Sequence, residues 1–234
     1  MMNAAGRPTE VRTDVDPSVA VVDTTELRWF VPGPLPAEIR KWFIGSTGVV
    51  EVRRDSYLVD DRVDIGIKRR GQTTLELKVR QAVESWADLG DGLAGPLEWW
   101  RKWTPAEDLV EIPTSRRWID VDKSIIKRRF SPNGTEVAFT TDPEADPGCD
   151  VEVASVSAAG IEAWTLAFAA FGPPPGRREN ILAAWRTLRA STDTSGVSFT
   201  VGSATGYPER IARCVAAPDT SESVRDDHDD GERR

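Results

Sequence analysis

The sequence predicts an α+β protein in which about eight antiparallel β-strands form a closed, tunnel-like barrel with covering helices. Three observations support this prediction. Segments with alternating apolar and polar residues recur along the chain, Gly- and Pro-rich turns separate them, and only two segments have helical periodicity. The chain has 234 residues and is 39% hydrophobic, which is sufficient for the core of one main domain. A barrel of eight strands has room for a small ligand rather than for a water channel.

The first two elements are a strand and a helix. Residues 21–30 alternate like a strand, and the Val-Pro-Gly-Pro sequence at 31–34 ends it. Residues 35–44 follow with helical periodicity, with Pro36 in the first turn, where its missing N–H is tolerated. Gly45 is a typical residue to end the helix.

The remaining elements continue this pattern of alternation and turns. The Ser-Pro-Asn-Gly sequence at 131–134 is typical of a hairpin turn. We assign no regular element to 83–111, which is rich in Trp and Gly. Strands are predicted at 48–58, 62–70, 73–81, 117–129, 136–140, 149–157 and 161–168, and a second helix at 177–190.

Composition and charge define the domain limits and exclude several classes of function. We expect a disordered leader at 1–20, a single domain at 21–214 and a disordered acidic tail at 215–234. No segment is typical of a signal peptide or a membrane span, so we expect a cytoplasmic protein without a membrane partner. The net charge of -8 argues against binding of bulk nucleic acid.

Several common catalytic sites are excluded by residue type. The single histidine, His228, lies in the acidic tail, so Ser-His, Cys-His and His-metal sites are not expected in the domain. Cys149 and Cys214 lack the spacing of a metal site and are expected to be reduced. No Gly-rich phosphate loop precedes a helix, which argues against a P-loop or a Rossmann fold.

Two consecutive strands each have one cationic face. In the first, Ile65 and Ile67 oppose Lys68 and Arg70. In the second, residues 74–80 place leucine and valine on one face and Glu76, Lys78 and Arg80 on the other. Two neighbouring strands of this kind predict a binding site for a highly charged anion. The alternative is an ordinary solvated face of an antiparallel sheet.

These segments resemble strands of the CYTH-like, or triphosphate tunnel metalloenzyme, superfamily. The Asp55-x-Tyr57-x-x-Asp60 segment is similar to its D-x-Y-x-D region. Residues 65–70, Ile-Gly-Ile-Lys-Arg-Arg, resemble its L-R-x-R strand, and 74–78, Thr-Leu-Glu-Leu-Lys, its T-L-K strand. The resemblance covers roughly residues 22–190 and implies a tunnel that holds a triphosphate, with basic strands on the phosphoryl oxygens and carboxylates carrying Mg²⁺ or Mn²⁺. Members include inorganic, thiamine and RNA triphosphatases and class IV adenylate cyclases.

The first strand departs from the signature of this superfamily, E-x-E-x-K. Here the matching residues are Thr24, Glu26 and Arg28, so a hydroxyl replaces the first carboxylate. Because divalent metals prefer charged oxygen ligands, we expect reduced metal affinity. A further acidic pair, Asp150 and Glu152, stands where the superfamily supplies carboxylates, although it is equally typical of the edge of an acidic loop.

The resemblance implies roles for particular residues. Glu26 and Lys78 are the candidate catalytic residues, and Glu26, Asp150 and Glu152 are the candidate ligands of Mg²⁺ or Mn²⁺. Arginine is suited to bidentate phosphate contacts. The candidate phosphate-binding residues are Arg28, Lys68, Arg70, Lys78, Arg80, Lys123, Lys127 and Arg129. The last three share a strand face with Ile119, Val121 and Ile125, so the direction of that face is open.

Three functions remain open at this point. The first is a metal-dependent phosphohydrolase acting on a triphosphate or polyphosphate compound. The second is a non-catalytic tunnel that binds a phosphorylated or polyanionic ligand, and the third is a structural or protein-interaction barrel whose charges form internal ion pairs, as Glu26 would with a tunnel lysine. The Trp-rich stretch at 99–103 is predicted to be core, with an aromatic platform for a base as the alternative.

Overall fold

Nine strands and three helices make up the described part of the chain. The computed structural model describes residues 19–45, 48–71, 73–105, 116–139, 146–190, 199, 202 and 204–216. The elements are β1 (Val19–Pro32), α1 (Ala37–Ile44), β2 (Val49–Leu58), β3 (Ile65–Arg70), β4 (Thr74–Asp88), β5 (Ala94–Pro105), β6 (Trp118–Phe130), β7 (Glu136–Val137), β8 (Gly148–Ala158), β9 (Ile161–Phe171), α2 (Pro174–Ala190) and α3 (Tyr207–Ala216).

Eight of the strands close into an antiparallel barrel. The strand order is β2-β3-β4-β5-β1-β9-β8-β6, and a ten-residue pairing of β2 with β6 completes the circle. β7 is a short strand that pairs with Arg129 and Phe130 at the end of β6, beyond the pairing of β6 with β2. The predicted closed barrel with covering helices is therefore confirmed, and we call its interior the tunnel.

The stretch 83–111 is where the sequence prediction was wrong. β4 continues to Asp88 and β5 occupies Ala94–Pro105, so most of the described part of that stretch is strand. Register shifts between Arg80 and Ala82 and between Val83 and Ser85 interrupt the pairing of β4 with β5. These bulges break the alternation of apolar and polar residues on which the prediction depended.

Two smaller predictions also need correction. The strand predicted at 136–140 is described only as the two residues of β7. Helix α3 was not predicted, because the sequence analysis assigned no element after 190. Residues 215 and 216 of the predicted tail belong to α3, and residues 19 and 20 of the predicted leader belong to β1. The rest of both segments lies outside the described residues, so those two predictions remain open.

The main apolar core lies between the outer face of the barrel and helices α1 and α2. On β1, Leu27 and Trp29 alternate with Glu26 and Arg28, so the apolar side chains point outward and the charged ones inward. The indole of Trp185 on α2 packs against Phe168 of β9 with ring centroids 6.1 Å apart, and burial of each such ring contributes roughly 1.5–3 kcal/mol. None of the described helices is long and apolar enough to span a membrane.

A second, smaller core fills one end of the tunnel, which we call the apolar end. Helix α3 contributes Tyr207 and Ile211 to it. The Tyr207 ring stacks on Tyr57 with centroids 5.1 Å apart and meets Phe30 edge-on at 5.0 Å. A side chain at Gly66 of β3 would meet Pro208 of α3 at 3.1 Å, so the glycine permits this close approach. The opposite end, where β2 and β8 begin, we call the charged end.

Candidate functional site

The tunnel is lined by charged side chains from seven of the eight barrel strands. Strand alternation and the observed registers place ten cationic side chains and seven carboxylates on this inner face. Cations therefore exceed carboxylates by three among the described residues. The cations are Arg28, Arg53, Lys68, Arg70, Lys78, Arg80, Lys102, Lys123, Lys127 and Arg129, and the carboxylates are Glu26, Glu51, Asp55, Glu76, Glu98, Asp150 and Glu152.

The tunnel is not completely filled by protein. The side chains of Glu26 and Arg28 retain about 17% of their accessible surface, and that of Glu152 retains 18%. Exposure rises at the charged end, where the side chain of Glu51 is 32% and that of Arg70 is 37% exposed. Small polar groups can therefore reach these charges from the charged end.

Asp55 is the most completely paired carboxylate in the tunnel. It is fully buried, and its oxygens accept hydrogen bonds from Lys123 Nζ at 2.9 Å and Arg53 Nε at 3.0 Å, with Lys68 Nζ at 3.5 Å. Burial alone would raise the pKa of this carboxyl, but Lys68, Lys123 and Arg53 outweigh burial and hold the pKa below its ordinary value. Asp55 thus joins β2, β3 and β6 from inside.

Glu51 plays a similar role at the charged end but is partly exposed. Its carboxylate pairs with Arg53, accepts a hydrogen bond from Lys127 Nζ at 2.6 Å, and lies 3.5 Å from Arg70 Nη2. Burial opposes ionisation, but the hydrogen bonds from Lys127 and Arg53 lower the pKa of Glu51 to about 2. Three cations from three strands therefore converge on one ionised carboxylate.

Lys102 and Lys78, by contrast, are two cations that face each other. They are direct partners across β4 and β5 and face the same side, an arrangement of like charges that is destabilising. Lys78 Nζ donates to both oxygens of Glu26, at 2.5 and 2.6 Å, whereas Lys102 makes no hydrogen bond or ion pair among the described residues.

The electrostatic environment of Lys102 is correspondingly unfavourable for its charge. Burial lowers the pKa of Lys102, the charge of Glu76 raises it, and Lys68, Lys78 and Arg70 lower it further, so that the pKa is below its ordinary value. Glu76 is the carboxylate that acts in the other direction, but it already lies 2.9 Å from Lys68 Nζ and 3.4 Å from Arg70 Nη1. Of the cations that β3, β4 and β5 place on the inner wall, Lys102 is therefore the one without an ion pair among the described residues.

The three candidate metal ligands do not fit a Mg²⁺ or Mn²⁺ centre in this arrangement. Glu152 is paired with Arg28 at 3.0 Å, and Asp150 is paired with Arg129 through two hydrogen bonds at 2.6 and 2.8 Å. Glu26 is held by Lys78 and also accepts a hydrogen bond from Thr24 Oγ1 at 2.7 Å. Among the residues that the structure describes, no three carboxylate, histidine or cysteine side chains come together as a metal site.

The structure places all the predicted site residues on the tunnel wall. The face of β6 left open by the sequence points inward, with Ile119, Val121 and Ile125 joining the apolar end and the cations lining the rest. The alternative role of Glu26, as the partner of a tunnel lysine, is the one observed. The indole of Trp100 is 2% exposed inside the barrel, so it belongs to the wall and is not a free stacking platform.

The sequence analysis did not identify several charged residues of the tunnel as part of the site. Arg53 and Lys102 were missed as lining cations, and Glu51, Asp55, Glu76 and Glu98 were not assigned as internal counter-ions. In β2, alternation of charge at 51, 53 and 55 was a usable signal. In β5, two tryptophans and an outward arginine obscured the inward positions of Glu98 and Lys102.

Comparison with known proteins adds no identification. No family model matches this chain, and no curated protein is similar enough to count as a relative. The argument for function therefore depends on the tunnel itself.

Proposed function

We propose that the tunnel binds a phosphorylated or polyphosphate ligand through its cationic side chains, without requiring a divalent metal. The observation that carries this proposal is the facing pair of Lys78 and Lys102, in which Lys102 has no counter-ion of its own. Burial of an unpaired charge beside a like charge is unfavourable, and an anionic ligand removes both costs.

The distribution of charge supports a ligand with several negative charges. Lys68, Arg70, Lys78 and Lys102 lie on three consecutive strands, and within this group Glu76 is the shared carboxylate. Their donors project from different strands into one space, which matches the tetrahedral distribution of phosphoryl oxygens better than a single planar carboxylate. Arg70 adds a guanidinium with only long contacts of 3.4 and 3.5 Å to protein carboxylates.

The resemblance of β3 and β4 to strands of the CYTH-like superfamily supports phosphate as the ligand chemistry. We propose that the chain is a divergent relative of that superfamily. A closed eight-stranded antiparallel barrel agrees with this assignment but is not specific to it. The replacement of the first carboxylate by Thr24 and the pairing of Glu26, Asp150 and Glu152 with cations favour binding without metal-dependent turnover.

Calorimetric titration of tripolyphosphate into the protein in EDTA tests this proposal. We expect binding that weakens as salt is added, because the contacts are ionic. Lys102→Met should weaken binding about tenfold or more, since it removes a charged donor worth roughly 1.5–3 kcal/mol. The matched control is Lys41→Met, which removes an exposed lysine of α1 outside the tunnel and should leave the affinity unchanged.

The same samples distinguish the competing functions. Absence of tripolyphosphate binding at low salt would overturn the proposal and leave a barrel stabilised by internal ion pairs. Phosphate release that depends on Mg²⁺ or Mn²⁺ would instead favour the metal-dependent phosphohydrolase. One observation keeps that second candidate open: Glu26 and Glu98 are direct partners across β1 and β5, so two carboxylates face each other inside the tunnel.

A further inference from the structure

Glu51 lies between two sets of tunnel cations. One set, the β3–β5 set, consists of Lys68, Arg70, Lys78 and Lys102, of which the first two pair with Glu76 and Lys78 pairs with Glu26. The other, the β2–β6 set, consists of Arg53 and Lys127, both of which donate to Glu51. Among the described residues, Arg70 is the member of the β3–β5 set that contacts Glu51, with its Nη2 at 3.5 Å, and this contact joins the two sets through one carboxylate.

The position of this carboxylate makes it a competitor for ligand. Its two oxygens accept hydrogen bonds from donors that a phosphoryl group would otherwise use, and its charge repels an anion that approaches along the wall from Arg70. It is ionised at all ordinary pH values, because the pKa of Glu51 is lowered to about 2. Yet it is 32% exposed, so it stands where an anion entering the charged end would pass.

Asp55 shows that Glu51 is not needed merely to neutralise Arg53. Arg53 Nε already bonds to Asp55 at 3.0 Å, so the arginine has a second, buried carboxylate partner, which it shares with Lys68 and Lys123. Glu51 therefore adds a second negative charge to a cation that is already paired. An added carboxylate of this kind limits what the surrounding cations can bind.

We propose that Glu51 is a specificity-determining residue that sets the length of the phosphoryl chain accepted by the tunnel. This inference rests on the proposed function. A short anion occupies the β3–β5 set without contacting Glu51. A longer linear chain extends past Arg70 and must compete with the Glu51 carboxylate for the donors of Arg53 and Lys127. This competition cancels the affinity that contacts with these two cations would add.

The test compares three probes in EDTA: orthophosphate, tripolyphosphate and a linear polyphosphate of about ten phosphates. For Glu51→Gln we expect the affinity for the long chain to rise about tenfold, because two cations become available as donors. The affinity for orthophosphate should change less than about threefold. The matched control is Asp122→Asn, which removes one carboxylate from the outer face of the same strand pair, where it bonds to Arg54 at 2.7 Å.

A second variant separates position from charge. Glu51→Asp keeps the negative charge but withdraws the carboxylate by one methylene, so we expect a smaller increase in the same direction. Thermal unfolding of each variant establishes whether it is folded. If Glu51→Gln does not fold, Glu51→Asp is used for the test instead. An equal change in affinity for all three probes, or none, would overturn the inference while leaving tripolyphosphate binding intact. Failure of both the native protein and Glu51→Gln to bind any probe would overturn the proposed function as well.

Discussion

Asp55 and Lys102 lie in the same tunnel in opposite electrostatic situations. Asp55 is a single carboxylate surrounded by Arg53, Lys68 and Lys123. Lys102 is a cation that faces another cation and has no ion pair among the described residues. The first arrangement joins strands and stabilises the barrel, whereas the second destabilises it slightly and is relieved by an anion. Internal charge therefore has two separable roles here, and substitutions should distinguish them.

The largest effect is expected from Asp55→Asn. The substitution keeps the shape of the side chain but leaves three cations near a neutral amide, and Lys123 in particular is almost completely buried. Loss of one partner of a buried ion pair costs roughly 3–5 kcal/mol, and we expect a decrease of that size in the free energy of unfolding, measured in urea. Asp122→Asn removes a carboxylate from an exposed pair and should change stability little. Equal effects of the two substitutions would contradict the assigned role of Asp55.

Acid should lower the free energy of unfolding, because it protonates tunnel carboxylates that are paired with cations. Despite burial, Lys68 and other cations lower the pKa of Glu76 from 4.5 to about 2, and Arg28 and the tunnel lysines lower that of Glu152 to about 2. At pH values between the unfolded and folded pKa, the unfolded chain binds more protons than the folded one. The stabilisation is therefore fully present above about pH 5 and is lost as the pH falls from there toward 2. A shift of this size is worth up to about 3 kcal/mol for one group.

The acid effect is checked by urea unfolding at several pH values. Glu76→Gln is the informative variant, because it lacks one of the titrating groups. It should be less stable than the native protein at pH 7 and should lose less stability between pH 5 and pH 2. A native protein whose unfolding free energy did not change over that interval would show that these carboxylates are not held ionised by their partners.

Lys102→Met should have opposite effects on stability and on ligand binding. Removing one of two facing charges relieves repulsion, so we expect the unfolding free energy without ligand to stay the same or to rise by about 1 kcal/mol. Tripolyphosphate should stabilise this variant much less than it stabilises the native protein, as seen in the thermal midpoint. Lys78→Met is the useful contrast, because it leaves Glu26 without its lysine and should lower stability. A large loss of stability in Lys102→Met would show that Lys102, like Asp55, stabilises the barrel.

The barrel could be predicted from the sequence because alternation recurs along the chain. It is most regular at 74–80, where leucine and valine oppose Glu76, Lys78 and Arg80. The same pattern placed cations of β3 and of β4 on one face of each strand but left open whether that face lines the tunnel or meets solvent. Two bulges hid the end of β4, and the neighbouring tryptophans and Arg101 hid β5 and with it Lys102. Alternation within one strand shows on which face a residue lies but not which residue lies opposite it on the next strand. That Lys78 and Lys102 face each other is known only from the pairing register of β4 and β5.

The ion pairs inside the tunnel could not be predicted from the sequence either. Asp55 and Lys123 are separated by 68 positions, and their contact depends on closure of the barrel by β2 and β6. The same closure brings Glu51 to Lys127. Local patterns give no information on such contacts, since they form only when strands distant in sequence pair. The three candidate metal ligands do line the tunnel, but their cationic partners come from other strands and could not be predicted from local pattern.

The smallest predicted effect concerns Thr24, which the resemblance to the CYTH-like superfamily aligns with the first carboxylate of the E-x-E-x-K signature. Its hydroxyl donates to Glu26 Oε1 at 2.7 Å and so adds a third hydrogen bond to a carboxylate already held by Lys78. Thr24→Val keeps the shape and removes this bond, and we expect a loss of roughly 0.5–1.5 kcal/mol in unfolding free energy. Tripolyphosphate affinity should change less than about threefold, because Lys78 remains paired with Glu26 and Lys102 is unaltered. A tenfold loss of affinity without a loss of stability would instead place Thr24 with Lys102, as part of the ligand site.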